Sequence, residues 1–74
     1  MTSDERLQEL MATVRRIRHD ANNPLTAALG HVQLLLTDPA VQDRDVLESL
    51  RVVESELRRL IDILRQLNTI GVTQ

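Results

Sequence analysis

The sequence predicts an all-α fold: a helical hairpin that dimerises into an antiparallel four-helix bundle. Three observations lead there. Apolar residues recur at alternating steps of three and four along two long stretches, the signature of a helix with one apolar face. An Asp38-Pro39 pair separates the two stretches. The apolar residues, 42% of the chain, include no Phe, Trp or Tyr, so any core is built from interdigitating aliphatic side chains.

Helix 1 is expected over about residues 4–37. Ser3 is a suitable cap, and Asp4 and Glu5 place carboxylates at the positive end of the macrodipole. Met11, Arg18, Leu25 and Val32 occupy the a positions of a heptad, with Leu7, Val14, Ala21, Ala28 and Leu35 at d. Arg18 is the one gap in that seam. Leu10, Ile17, Leu29 and Leu36 widen the stripe beyond that of a two-stranded coil. The helix is expected to stop near Thr37, because Pro39 disfavours helical geometry at Asp38.

Residues 38–43 then form a short connector, which makes the helices antiparallel neighbours. Helix 2 is expected over about 44–69, capped by Asp43 or Asp45, with Asp38 capping a first turn at Pro39 as the alternative. Val46, Leu50, Val53, Leu57, Leu60, Leu64 and Leu67 form its seam, flanked by Leu47 and Ile61. From Asn68 to Gln74, Gly71 and β-branched residues favour fraying. A single hairpin cannot cover two stripes this wide, whereas two hairpins related by a two-fold axis can.

Composition narrows the function. Seventy-four residues make one domain, residues 1–74, and a chain this short buries little apolar surface alone. The net charge is −2 and no aromatic platform exists, so neither electrostatics nor base stacking favours nucleic acid. The absence of cysteine removes disulfides and thiolate metal sites. No signal peptide is visible, and the longest apolar run, Leu34-Leu35-Leu36, is far too short to span a bilayer. A cytoplasmic segment with no direct membrane contact is expected, whatever anchor a parent protein has.

The stretch that carries chemistry is Arg18-His19-Asp20-Ala21-Asn22-Asn23-Pro24-Leu25-Thr26. His19 follows an a position and so falls at b, turned away from the seam. A lone histidine there is ordinarily a plain surface residue. Here an acid follows at once, an amide stands one turn later on the same face, and a proline interrupts the helix interior at a cost of about 3 kcal/mol. Imidazole is a good nucleophile near neutral pH when a neighbour sets its tautomer and takes up a proton. Asp20 supplies a carboxylate, and Asn23 an amide able to orient water or hold an oxygen. Pro24 deprives the Asp20 carbonyl of its donor, so a bend is expected there. Gly30 is a further soft point, or a place of close backbone approach.

His19-Asp20-x-x-Asn23-Pro24-Leu25-Thr26, followed by Gly30 and the leucines at 34–36, resembles the phosphoacceptor box of the HisKA-type dimerisation and histidine-phosphotransfer domain of sensor histidine kinases. The resemblance covers nearly the whole chain. It implies that His19 accepts the γ-phosphoryl group of ATP, with Asp20 as acid or base partner. It also implies that Asn23 positions water in a phosphatase reaction. The implied partners are a second copy of the chain, a kinase ATP-binding domain and the receiver domain of a response regulator, to whose aspartate the phosphoryl group passes. ATP and Mg2+ would enter through the ATP-binding domain, and these residues themselves bind no cofactor or metal. Nothing in the 74 residues resembles that domain, so this chain is not expected to autophosphorylate alone. It reads as either an excised domain or a free-standing phosphotransfer element, and the uncapped end at Gln74 points to excision.

Two further readings bear on the chemistry. His31 is roughly 18 Å along the helix from His19, which excludes a shared metal site and leaves it a structural flank residue facing helix 2 or a response regulator. The main alternative, a non-catalytic homodimeric coiled-coil module, explains the heptads but not Pro24 and the polar cluster beside it.

Overall fold

The structure is a computed structural model that describes residues 2–71. It contains two α-helices, α1 (Ser3–Leu36) and α2 (Arg44–Gly71), folded back on each other as a hairpin. Helix α1 begins one residue before the expected start, because the cap is Thr2 and not Ser3. The Thr2 backbone is extended, and its Oγ1 accepts the Glu5 N–H at 3.2 Å. Both residues carry a hydroxyl; the one that lies outside the helical turn becomes the cap.

The turn is built from short polar side chains that occupy backbone groups the helix ends leave open. Thr37 closes α1, its N–H and its Oγ1 both donating to the carbonyls of Gln33 and Leu34. The Asp38 carboxylate accepts the Ala40 N–H at 2.9 Å and its carbonyl accepts the Val41 N–H, so the chain turns around Pro39. Asp43 caps α2: its Oδ1 accepts from Asp45 at 2.9 Å and from Val46 at 3.1 Å. Of the three aspartates offered by the sequence, Asp43 caps the helix, Asp45 lies in its first turn and Asp38 serves the turn before it. At the other end α2 stays helical through Gly71, past the expected boundary at 69; of the stretch expected to fray, residues 72–74 lie outside the described residues.

A layer two helices thick encloses almost nothing. The hairpin measures 59 × 18 × 15 Å, and among the described residues the only buried hydrophobic one is Val32, 8% exposed. Along α1 the half-buried residues facing α2 include Met11, Val14, Arg18, Leu25, Leu29 and Leu36. Along α2 they are Leu47, Leu50, Glu54, Leu57, Ile61, Leu64 and Leu67. The expected α2 seam is therefore divided. Leu50, Leu57 and Leu64 face α1 together with the supposed flank Leu47 and Ile61, whereas Val46, Val53 and Leu60 remain 44–47% exposed. On α1, Leu10, Ile17 and Leu35 of the stripe are likewise exposed.

These leftovers share one side of the hairpin. Rotation from residue to residue runs in opposite senses in two antiparallel helices seen from one end, so the flank just before the contact on each helix turns to the same side. Leu10, Ile17 and Leu35 join Val46, Val53 and Leu60 there as an apolar face. No helix among the described residues is long and apolar enough to cross a membrane.

Two substitutions test this description. At Gly30 an added Cβ would meet nothing within 4 Å, and the backbone there is ordinary helix. Gly30→Ala is expected to stabilise the hairpin by about 1 kcal/mol in urea denaturation, as for Gly to Ala in any open helix interior. Destabilisation would mean that something outside the hairpin packs against Gly30. Asp43→Ala is expected to remove about 1 kcal/mol by uncapping α2, with Asp43→Asn retaining most of it.

Candidate functional site

His19 sits about halfway along α1 and is exposed. Its neighbour Arg18 faces the contact with α2, so the next residue is swung round by about 100° onto one side of the hairpin. That side is opposite the apolar face. It carries a groove of about 370 Å3 in which Arg18, His19, Asn22 and Thr26 of α1 meet Arg65 of α2. Leu64 and Ile61, with Leu29 across from them, give the groove an apolar wall.

The residues singled out in the sequence divide around His19. Asp20 and Asn23 are both exposed and neither lines the groove. Asp20 is turned about 100° further on, toward the other side of α1, while Asn23, four residues on, stays on the outer face beside His19. The amide inside the groove belongs to Asn22, which is half-buried. Pro24 is exposed and does not break the helix: α1 continues through it as a single 34-residue element. Because proline lacks an N–H, the Asp20 carbonyl one turn earlier is left without its helical donor. His31 is exposed on the flank of the apolar side, so it packs against neither α2 nor the groove.

Two groove residues are absent from the sequence-level site. Arg18 reads in the heptad only as a gap, and it is a half-buried residue whose guanidinium has no carboxylate partner among the described residues. Arg65 is the last of four arginines, Arg44, Arg51, Arg58 and Arg65, spaced seven apart on α2. That spacing returns each to the same face, the signal that could have placed Arg65 beside the histidine. Arg58 is held by Glu54 at 3.4 Å; Arg65 meets Asp62 at 3.6 Å, with both side chains largely exposed. An exposed pair of that length holds its partners weakly. Among the described residues no group of three or more His, Cys, Asp or Glu is arranged to hold a metal ion.

The groove thus brings an exposed imidazole together with guanidinium, amide and hydroxyl side chains. The family model described as the His Kinase A (phospho-acceptor) domain matches residues 7–71. No curated protein and no solved structure matches the chain.

Proposed function

The chain belongs to the His Kinase A (phospho-acceptor) domain family, and from that premise we propose that His19 is the phosphoacceptor of a sensor histidine kinase. The observation that carries the assignment is its position. Of the two histidines, His19 alone opens the Asp20, Asn23, Pro24 string, and it is exposed on the polar side of the hairpin. A ring nitrogen of His19 attacks the γ-phosphorus of ATP held by an ATP-binding domain, the bond to the β-phosphate oxygen breaks, and ADP leaves. Asp20 takes up the ring proton as the N–P bond forms. The phosphoryl group then passes to an aspartate of a response-regulator receiver domain. Asn23, one turn from His19, orients water in the reverse, phosphatase direction. ATP and Mg2+ are brought by the ATP-binding domain and not by these residues, and the domain, residues 1–74, works in the cytoplasm.

The same proposal covers assembly. Two copies pack through the apolar face to form an antiparallel four-helix bundle. Leu10, Ile17, Leu35, Val46, Val53 and Leu60 are left about half exposed on that face, and burying the remainder gains on the order of 1 kcal/mol each. This face is turned away from His19, so association leaves the histidine open to both partner domains.

The phosphoacceptor assignment is tested by incubating the chain with ATP, Mg2+ and a kinase ATP-binding domain, and measuring acid-labile phosphate. His19→Gln should abolish the label while leaving the dimer intact. Asp20→Asn should slow labelling by 10-fold or more, in the range typical of lost acid–base assistance. Asn23→Ala should leave labelling largely in place and reduce only dephosphorylation of the regulator. Label retained by His19→Gln would refute the assignment; equal loss in all three variants would refute the division of roles.

Assembly is tested by sedimentation. A dimer at micromolar concentration is expected, and Leu60→Glu should give a monomer with reduced helicity, because an unpaired charge would be buried in the interface. A folded monomeric wild-type chain would overturn the bundle.

A further inference from the structure

The groove holds more positive charge than a phosphoacceptor histidine requires to be exposed. We infer that Arg18 and Arg65 form a two-sided cradle for the phosphoryl group once it is carried by His19, with Asn22 and Thr26 as neutral donors. This rests on the phosphoacceptor reading of His19 and adds to it a pair of positioning residues, one from each helix.

Three observations converge on it. Arg18 is half-buried at a seam position whose neighbours in the seam, Met11, Leu25 and Val32, are apolar, and no carboxylate meets it among the described residues. No acid among the described residues neutralises the Arg18 guanidinium, and a doubly charged phosphoryl group on the next residue would give it a charge-assisted partner. Arg65 reaches the same groove from α2, held only by an exposed contact with Asp62 that a dianion can displace. Asn22 and Thr26 lie one turn apart on the groove side and offer N–H and O–H donors to the remaining oxygens. Fork-shaped guanidiniums suit a phosphoryl group, since each presents two parallel N–H donors to two oxygens. Among the described residues only Arg58, with Glu54, and Arg65, with Asp62, pair with an acid, so what singles out Arg18 is its partial burial beside His19 in the groove.

The test bypasses the kinase. Potassium phosphoramidate is used to phosphorylate the chain: a histidine ring nitrogen forms the N–P bond, the donor's own P–N bond breaks, and ammonia leaves. Peptide mapping locates the label, and the 31P resonance of the phosphohistidine is followed against pH. Cations beside the phosphoryl group oppose its protonation and that of the ring, so they lower the midpoint of this titration. Removing one cation by Arg65→Gln should raise the midpoint by about 0.5 of a pH unit, the size expected for a single charge a few ångströms away in a wet site. Arg18→Gln should do the same, and Arg65→Lys should restore most of the shift by restoring the charge. Asp62, which meets Arg65, and Asp20, next to His19 in the chain, are unchanged by these substitutions.

Arg65 is exposed, so Arg65→Gln carries the test even if Arg18→Gln reduces helicity in circular dichroism. Label on His19 with an unmoved midpoint in Arg65→Gln would overturn the cradle and leave the phosphoacceptor standing. A wild-type chain that takes no label on His19, or is labelled equally at His31, would overturn both.

Discussion

Everything in this molecule follows from the tightness of the turn between its helices. Thr37, Asp38 and Asp43 each place a side-chain oxygen on a backbone group at a helix end or within the turn, which closes α1 and opens α2 within a few residues. The helices are thereby forced to run antiparallel in immediate contact. Antiparallel contact then decides which flanks meet on which side: the aliphatic surplus of both helices on one, His19 and the arginines on the other. A longer or looser connector would let the two faces slide past each other. The groove, which takes residues from both helices, exists only because that register is held.

How much of this could be read from residues alone depended on how much angular resolution each feature needed. The two helices and the hairpin need only the coarse alternation of apolar and polar positions, and that pattern is strong. The partition of the α2 stripe needs more. Val46, Leu47 and Leu50 fall within about 100° of arc, and steps of three and four are satisfied by either 46/50/53 or 47/50/54. Glu54 hides the second series, because a glutamate in a seam breaks the apolar pattern. In the structure it lies at the edge of the contact, paired with Arg58. The choice of Thr2 over Ser3 as cap is of the same kind: two hydroxyls one residue apart present the same composition and differ only in backbone geometry.

The site was legible where chemistry is written in consecutive residues and illegible where it is assembled across the turn. His19, Asp20 and Asn23 announce themselves by spacing within one helix. Arg65 is 46 positions from His19 and joins it only because the hairpin folds the end of α2 back to the middle of α1. Arg18 was visible as an interruption of the heptad, but an interruption says only that a position departs from its pattern. Half-burial without a partner turns the departure into a chemical question. At Pro24 the helix loses one hydrogen bond and still continues as a single element, packed along much of its length.

Net charge and local charge lead to different conclusions here, and both hold on their own length scale. The chain carries −2 overall, so at distances beyond the Debye length, about 8 Å at physiological salt, it does not attract polyanions. Within the groove the sum is different. Asp20 is turned aside and Asp62 is solvated, whereas Arg18 and Arg65 both line the space beside His19. A small anion held at His19 would lie in the groove with the guanidiniums, a space that neither Asp20 nor Asp62 lines. Such an arrangement discriminates by size: it is selective for a compact charge at one point and indifferent to an extended one. That is the discrimination a phosphoryl carrier needs and a nucleic-acid binder does not.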